Sequence, residues 1–143
     1  MTRLVLDERA TCACGAVTLA VSGPVLSMLV CSCRDCRKAT GTGHSAVVLM
    51  PTEAVAITGR TGSHTRTAAS GSAITRAFCP QCGTPLFART ERAPRLILLP
   101  VGLFDDPAWF APAQAIFSRS HLNWDVLDDA LPRYETYRDN GGF

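Results

Sequence analysis

Apolar and polar residues alternate along most of this chain, and the pattern predicts many short strands and few helices. Gly15 to Val21 (GAVTLAV) alternates and is rich in β-branched residues, which predicts a strand. Ser22-Gly23-Pro24 reads as a turn, and Val25 to Cys31 (VLSMLVC) as the returning strand of a hairpin. Cys33 to Ala39 (CRDCRKA) predicts a short helical turn, stopped by Thr40-Gly41-Thr42-Gly43. Ser45 to Met50, Val55 to Thr58, Ile74 to Phe78 and Leu86 to Thr90 predict further strands, with His64 to Thr67 a weak one. Leu96 to Gly102 is an apolar strand that Pro100 marks as an edge or a bulge. Asp105-Asp106-Pro107 fits the start of a helical turn at Ala108-Trp109. Ala113 to Ser118 predicts a last strand, and Asn123 to Leu131 one or two helical turns ended by Pro132. The tail Asp139 to Phe143 reads as loose. The expected fold class is mainly β with few short helices, in one domain spanning residues 1–143.

Composition narrows the picture. The chain is 47% hydrophobic, enough for a core of its own, so any metal would organise part of the fold rather than replace the core. A net charge of +2, with scattered arginines and a single lysine (Lys38), argues against nucleic acid as a partner. The start of the chain has no apolar run fit for a signal peptide, and no stretch approaches the ~20 apolar residues of a membrane helix. The expectation is a cytoplasmic protein without a membrane partner. No G-x-S-x-G, phosphate-binding loop or dinucleotide fingerprint is present.

The chemistry lies in seven cysteines, grouped as Cys12-Ala-Cys14, Cys31-Ser-Cys33-Arg-Asp-Cys36 and Cys79-Pro-Gln-Cys82-Gly83. In a reducing compartment such close groups favour zinc over disulfides, and an odd count would strand one thiol. Cys12, Cys14, Cys79 and Cys82 together make the four-sulfur complement of a closed structural zinc. Cys31, Cys33 and Cys36 make a site one ligand short, the arrangement of an open, reactive zinc. Two Zn²⁺ are therefore the expected cofactors. A C-x-C in extended chain turns both sulfurs to one face, and cysteines three apart share a helix face. Another grouping stays open, with Cys12, Cys14, Cys31 and Cys33 on one metal and Cys36 joining Cys79 and Cys82.

Three thiolates on Zn²⁺ leave a net negative, soft centre, a poor acid for water but a good acceptor for another thiol. Arg34, Arg37 and Lys38 beside the triplet could hold an anionic thiol by its carboxylates, and Arg34 and Lys38 are the substrate-binding candidates. His44 could ligate or carry a proton, or face solvent. Asp35 reads as a helix cap. Trp109, Phe110 and Trp124 read as core.

These motifs resemble the glutathione-dependent formaldehyde-activating (GFA) family, whose zinc domain is also known from centromere protein V. The matching residues are Cys12-Ala-Cys14-Gly15, Cys31-Ser-Cys33-Arg-Asp-Cys36-Arg-Lys38, the Gly41–Gly43 segment, Arg76-Ala-Phe78-Cys79-Pro-Gln-Cys82-Gly83-Thr84, Trp124 and Leu131-Pro132-x-Tyr134. They run from about residue 11 to residue 134. The resemblance implies small coiled β-sheets, a beta-tent, around two zinc sites. The outer pairs would hold the structural zinc, and the triplet the zinc near which glutathione binds. It also implies condensation of formaldehyde with glutathione, a carbon–sulfur lyase type of reaction. Ser32 stands where the family usually has histidine, and Gln114-Ala115 where a histidine is common. The expected function is addition of a small, glutathione-like thiol to a small aldehyde such as formaldehyde, or the reverse. The alternative is a non-catalytic zinc scaffold that carries a thiol or binds a protein.

Overall fold

The structure is a computed structural model that describes residues 2–138. The expectation for the tail Asp139 to Phe143 lies outside the described residues. The fold is mainly β. In chain order the strands are β1 (Val5–Thr11), β2 (Thr18–Pro24), β3 (Ser27–Cys31), β4 (Ser45–Pro51), β5 (Val55–Thr58), β6 (Gly62–Thr67), β7 (Ala73–Phe78), β8 (Pro85–Thr90), β9 (Leu96–Pro100) and β10 (Gln114–Ile116). One α-helix, α1 (Arg34–Thr40), follows β3, and single 3₁₀ turns lie at Thr52–Ala54, Val101–Leu103 and Ser118–Ser120. Among the described residues, no helix is long and apolar enough to cross a membrane.

The chain divides into two compact units. The first comprises Met1–Leu26 and Val48–Pro107. In it β2 lies between β1 and β5, antiparallel to both. Alternation puts Leu6, Ala10, Leu19 and Val21 in the core while Asp7 and Arg9 face out. The same unit holds the antiparallel run β9–β8–β7–β6, with Leu86, Ile97 and Leu99 fully buried. Each such side chain contributes ~1.5–3 kcal/mol through burial. The β7–β8 register shifts at Ala77/Phe78, and this bulge delivers the chain into Cys79.

The second unit comprises Ser27–Val47 and Ala108–Phe143. Here β3 lies between β10 and the start of β4. The β3–β10 pair is parallel, with Gln114 opposite Leu29 and Ile116 opposite Cys31. Residues 132–136 line the other edge of β10: Ala115 N–H donates to Pro132 O, Tyr134 N–H to Ala115 O and Phe117 N–H to Thr136 O. Phe117 adopts a left-handed φ of 57°, rare outside glycine, and its ring meets Tyr137 edge-on at 4.9 Å.

Five local features depart from expectation. The predicted hairpin does not form, because β2 pairs with β1 and β5 while β3 pairs with β10. The chain between them is held to other segments, Val25 N–H by Leu4 O and Leu26 N–H by Leu49 O. Strand β1 was not foreseen; its Asp-Glu-Arg centre breaks the apolar run, and it needs only Leu6 and Ala10 inside. Strand β9 lies between β4 and β8 rather than at an edge, and Pro100 is its last residue, where a missing N–H costs little. No helix forms over 123–131. The Asp128 side chain accepts the Ala130 N–H, a local turn that competes with helix, and Val126 is 89% exposed. Ala108-Trp109 is likewise a turn rather than a helix.

Candidate metal centres

The first cluster is built by two matching turns. Chain leaving β1 bends over Cys12–Gly15, where Gly15 N–H donates to Cys12 O at 3.0 Å and Gly15 sits at φ 82°. Chain leaving β7 bends over Cys79–Gly83, where Gly83 N–H donates to Cys79 O at 2.8 Å and Gly83 sits at φ 77°. A Cβ on either glycine would have open space, so backbone conformation alone demands glycine there. Cys12-Ala-Cys14 is therefore a turn and not the extended segment expected from its spacing.

The two turns bring Cys12, Cys14, Cys79 and Cys82 together, all four sulfurs within 4.8 Å of one another. Cys12 and Cys14 Sγ are 3.6 Å apart, and Cys14 and Cys79 Sγ 3.7 Å. A tetrahedron of thiolates at ~2.3 Å from its centre has edges of about 3.8 Å. Val17 N–H points at Cys12 Sγ at 3.3 Å. Thr84 ties the turns directly: its Oγ1 accepts from Ala13 N–H at 3.1 Å and lies 3.1 Å from Cys82 Sγ. That hydroxyl, with the Thr84 and Cys14 backbone amides, draws the Cys82 thiol down to about 5. An amide hydrogen bond from Ala16 works to lower Cys14, but burial and the neighbouring thiols of Cys12, Cys79 and Cys82 push it up to about 12.

The second cluster lies where a strand becomes a helix. Cys31 ends β3, Cys33 caps α1 from extended backbone, and Cys36 sits one turn inside. Cys33 Sγ accepts the Cys36 N–H at 3.3 Å, so a sulfur does the work usually done by a serine or aspartate oxygen. The three sulfurs lie within 4.8 Å of one another. No fourth His, Cys, Asp or Glu joins them among the described residues. The sulfurs of Cys33 and Cys36, then burial, push the Cys31 thiol far up. Cys33 is lowered by Cys31 but raised more by Cys36 and burial, and ends above its ordinary value. Helical spacing puts Arg37 on the face of Cys33 and Cys36. Arg37 is half-buried with its Nε enclosed, whereas Arg34 and Lys38 are exposed on the adjoining face.

A second set of polar contacts lies at the far end of α1. The Thr40 hydroxyl donates to Cys36 O at 2.9 Å and lies 3.4 Å from His44 O, joining the helix to the start of β4. His44 Nδ1 meets Asp125 Oδ2 at 2.7 Å. Asp125 is only 9% exposed, and His121 Nε2 reaches both its backbone oxygen and, at 3.8 Å, its carboxylate. Gly43 leaves room for this pair: a Cβ there would fall 2.5 Å from the Asp125 carboxyl carbon. Ser32 is buried and its N–H donates to Ile116 O. Trp124, expected in the core, is 61% exposed. His64 is exposed on β6. Sequence reasoning missed Asp125, because its link to His44 spans 81 positions and leaves no local pattern. It also gave no role to the Gln114 amide, which is buried with Nε2 unpartnered among the described residues.

The protein is thus mainly β, with one four-thiol and one three-thiol cluster that could each hold a metal ion. The sequence profile described as "Glutathione-dependent formaldehyde-activating enzyme" matches residues 8–120, and the chain belongs to that GFA family. A Talaromyces marneffei protein provisionally named glutathione-dependent formaldehyde-activating enzyme is 29% identical, the match covering 87% of this chain and 70% of that one. A Phaeosphaeria nodorum protein of the same provisional name is 30% identical, with 85% and 62% covered. A crystal structure of a Rhodobacter sphaeroides protein aligns with a TM-score of 0.55 at 17% identity, covering 68% of this chain and 88% of the other, which is a likeness of fold.

Proposed function

We propose that this protein adds a small thiol of the glutathione type to a small aldehyde such as formaldehyde, or catalyses the reverse. The observation that supports it is the triplet: three sulfurs clustered within 4.8 Å, with no fourth His, Cys, Asp or Glu joining them among the described residues. Soft sulfur donors at these separations fit Zn²⁺ in both clusters. Zinc held by three thiolates supplies an open position for a fourth soft ligand and lowers the pKa of a thiol placed there.

The chain's own groups supply the rest. Arg37, on the sulfur-bearing face of α1, offsets the accumulated negative charge, and exposed Arg34 and Lys38 hold the carboxylates of the thiol compound. His44, its Nδ1 held by Asp125, is the proton carrier of this reading: Nε2 takes the thiol proton and returns it to the aldehyde oxygen as the carbon–sulfur bond forms. No proton is gained or lost overall, and the product is a hemithioacetal. The names of the relatives point to the same pair of substrates. The chain spans 60–70% of the length of the curated relatives it matches, so the reading applies to the domain in hand. The cytoplasm, where thiols stay reduced, suits this chemistry.

The test is titration of the zinc-loaded protein with glutathione, followed by exchange NMR with formaldehyde. Saturable binding with accelerated exchange is expected. Binding without acceleration favours a thiol carrier, and no binding overturns the proposal.

A further inference from the structure

Gln114 opens β10 and is 3% exposed, yet its Nε2 has no hydrogen-bond partner among the described residues. A buried, unpartnered amide N–H costs about 1–3 kcal/mol, so nearly all such groups in folded proteins are satisfied by something. The sheet register shows where this one lies. Residues paired across neighbouring strands share a face, and so do residues two apart on one strand. Ile116 pairs with Cys31, so Gln114 stands on the face that carries the Cys31 sulfur. Strand rise and strand spacing put the two Cα atoms roughly 8 Å apart, within reach of a glutamine side chain and a small ligand between them.

We propose that Gln114 is a specificity-determining residue: it donates a hydrogen bond to an oxygen atom of the thiol compound bound at the Cys31–Cys33–Cys36 site. The donor suits a hydroxyl or carbonyl oxygen within a bond or two of the sulfur-bearing carbon, as in a hemithioacetal. A hydrocarbon thiol would leave the amide unsatisfied. This inference rests on the reading of the triplet as a thiol site.

The experiment compares 2-mercaptoethanol with ethanethiol on the zinc-loaded protein, wild type against Gln114→Met, which keeps side-chain length and removes the donor. The ratio of the two affinities cancels the difference in thiol acidity between the ligands. It is expected to fall about tenfold in the variant, the loss of one buried hydrogen bond. The variant should keep the wild-type metal content and, without thiol, melt no lower than wild type, because it removes an unsatisfied donor. Gln114→Leu serves as the second variant should Gln114→Met lose metal. An unchanged ratio, with both thiols bound, overturns the role of Gln114 and leaves the thiol site standing. Failure of wild type to bind either thiol overturns the thiol site and this inference together.

Discussion

The two cysteine clusters use sulfur in opposite ways. The four-thiol cluster joins turns distant in sequence, with Cys14 and Cys79 65 positions apart, and each turn ends in a left-handed glycine. Its polar neighbours, Thr84 and the amides of Ala13 and Val17, all address sulfur or the opposite turn. The three-thiol cluster spans six consecutive residues at a strand–helix junction, so closing it constrains little chain. In the same unit Arg37 lies half-buried on its helix face, His44 is held by the buried Asp125 carboxylate, and Gln114, on the Cys31 face of β10, has an amide Nε2 without a partner among the described residues. A distant ligand set suits cohesion, because joining remote segments removes most freedom from the unfolded chain. On the proposed reading the local set serves reaction, since its three sulfurs come from one strand–helix junction and its geometry is nearly given by the helix.

Substitutions test that contrast, and the largest effect belongs to the distant cluster. Cys79→Ser should lose the cluster's metal and most of the fold. Structural zinc contributes on the order of 10 kcal/mol in small domains, comparable to a domain's whole stability. Circular dichroism and metal analysis check this. Cys33→Ser should have a smaller structural effect, because serine is itself a good helix cap. It should remain folded with one zinc per chain and lose glutathione binding, read by calorimetry. If instead Cys33→Ser unfolds and Cys79→Ser folds with full thiol binding, the two roles are reversed. The smallest effect is expected from Gly43→Ala. Its Cβ would press on Asp125 and displace it from His44, costing about 1–3 kcal/mol. Turnover of thiol and aldehyde should fall while both metals stay bound.

Much of this could be seen in the sequence. β-branched alternation predicted a mainly β fold, and cysteine spacing grouped the sulfurs, because both patterns are local. The remainder depended on pairing between distant segments. Nothing in Val5–Thr11 shows that Leu6 and Ala10 suffice to bury a strand, and nothing after Pro24 shows that the chain leaves one sheet for another. The His44–Asp125 contact arises only when β4 and the loop before residue 128 meet. The C-x-C geometry was misread because an extended segment and a glycine-ended turn can both gather two sulfurs.

The ladder between residues 132–136 and β10 bears on where the domain ends. The family profile stops matching at residue 120, yet Pro132, Tyr134 and Thr136 supply hydrogen bonds to Ala115 and Phe117. A chain cut after Ser120 would strip one edge of β10 bare and leave Phe117 in its rare conformation without the contacts that hold it. An exposed edge of that kind is a template for other chains. Residues through Tyr137 therefore complete the edge of β10, and a chain cut at the end of the family match is expected to aggregate where the full one does not.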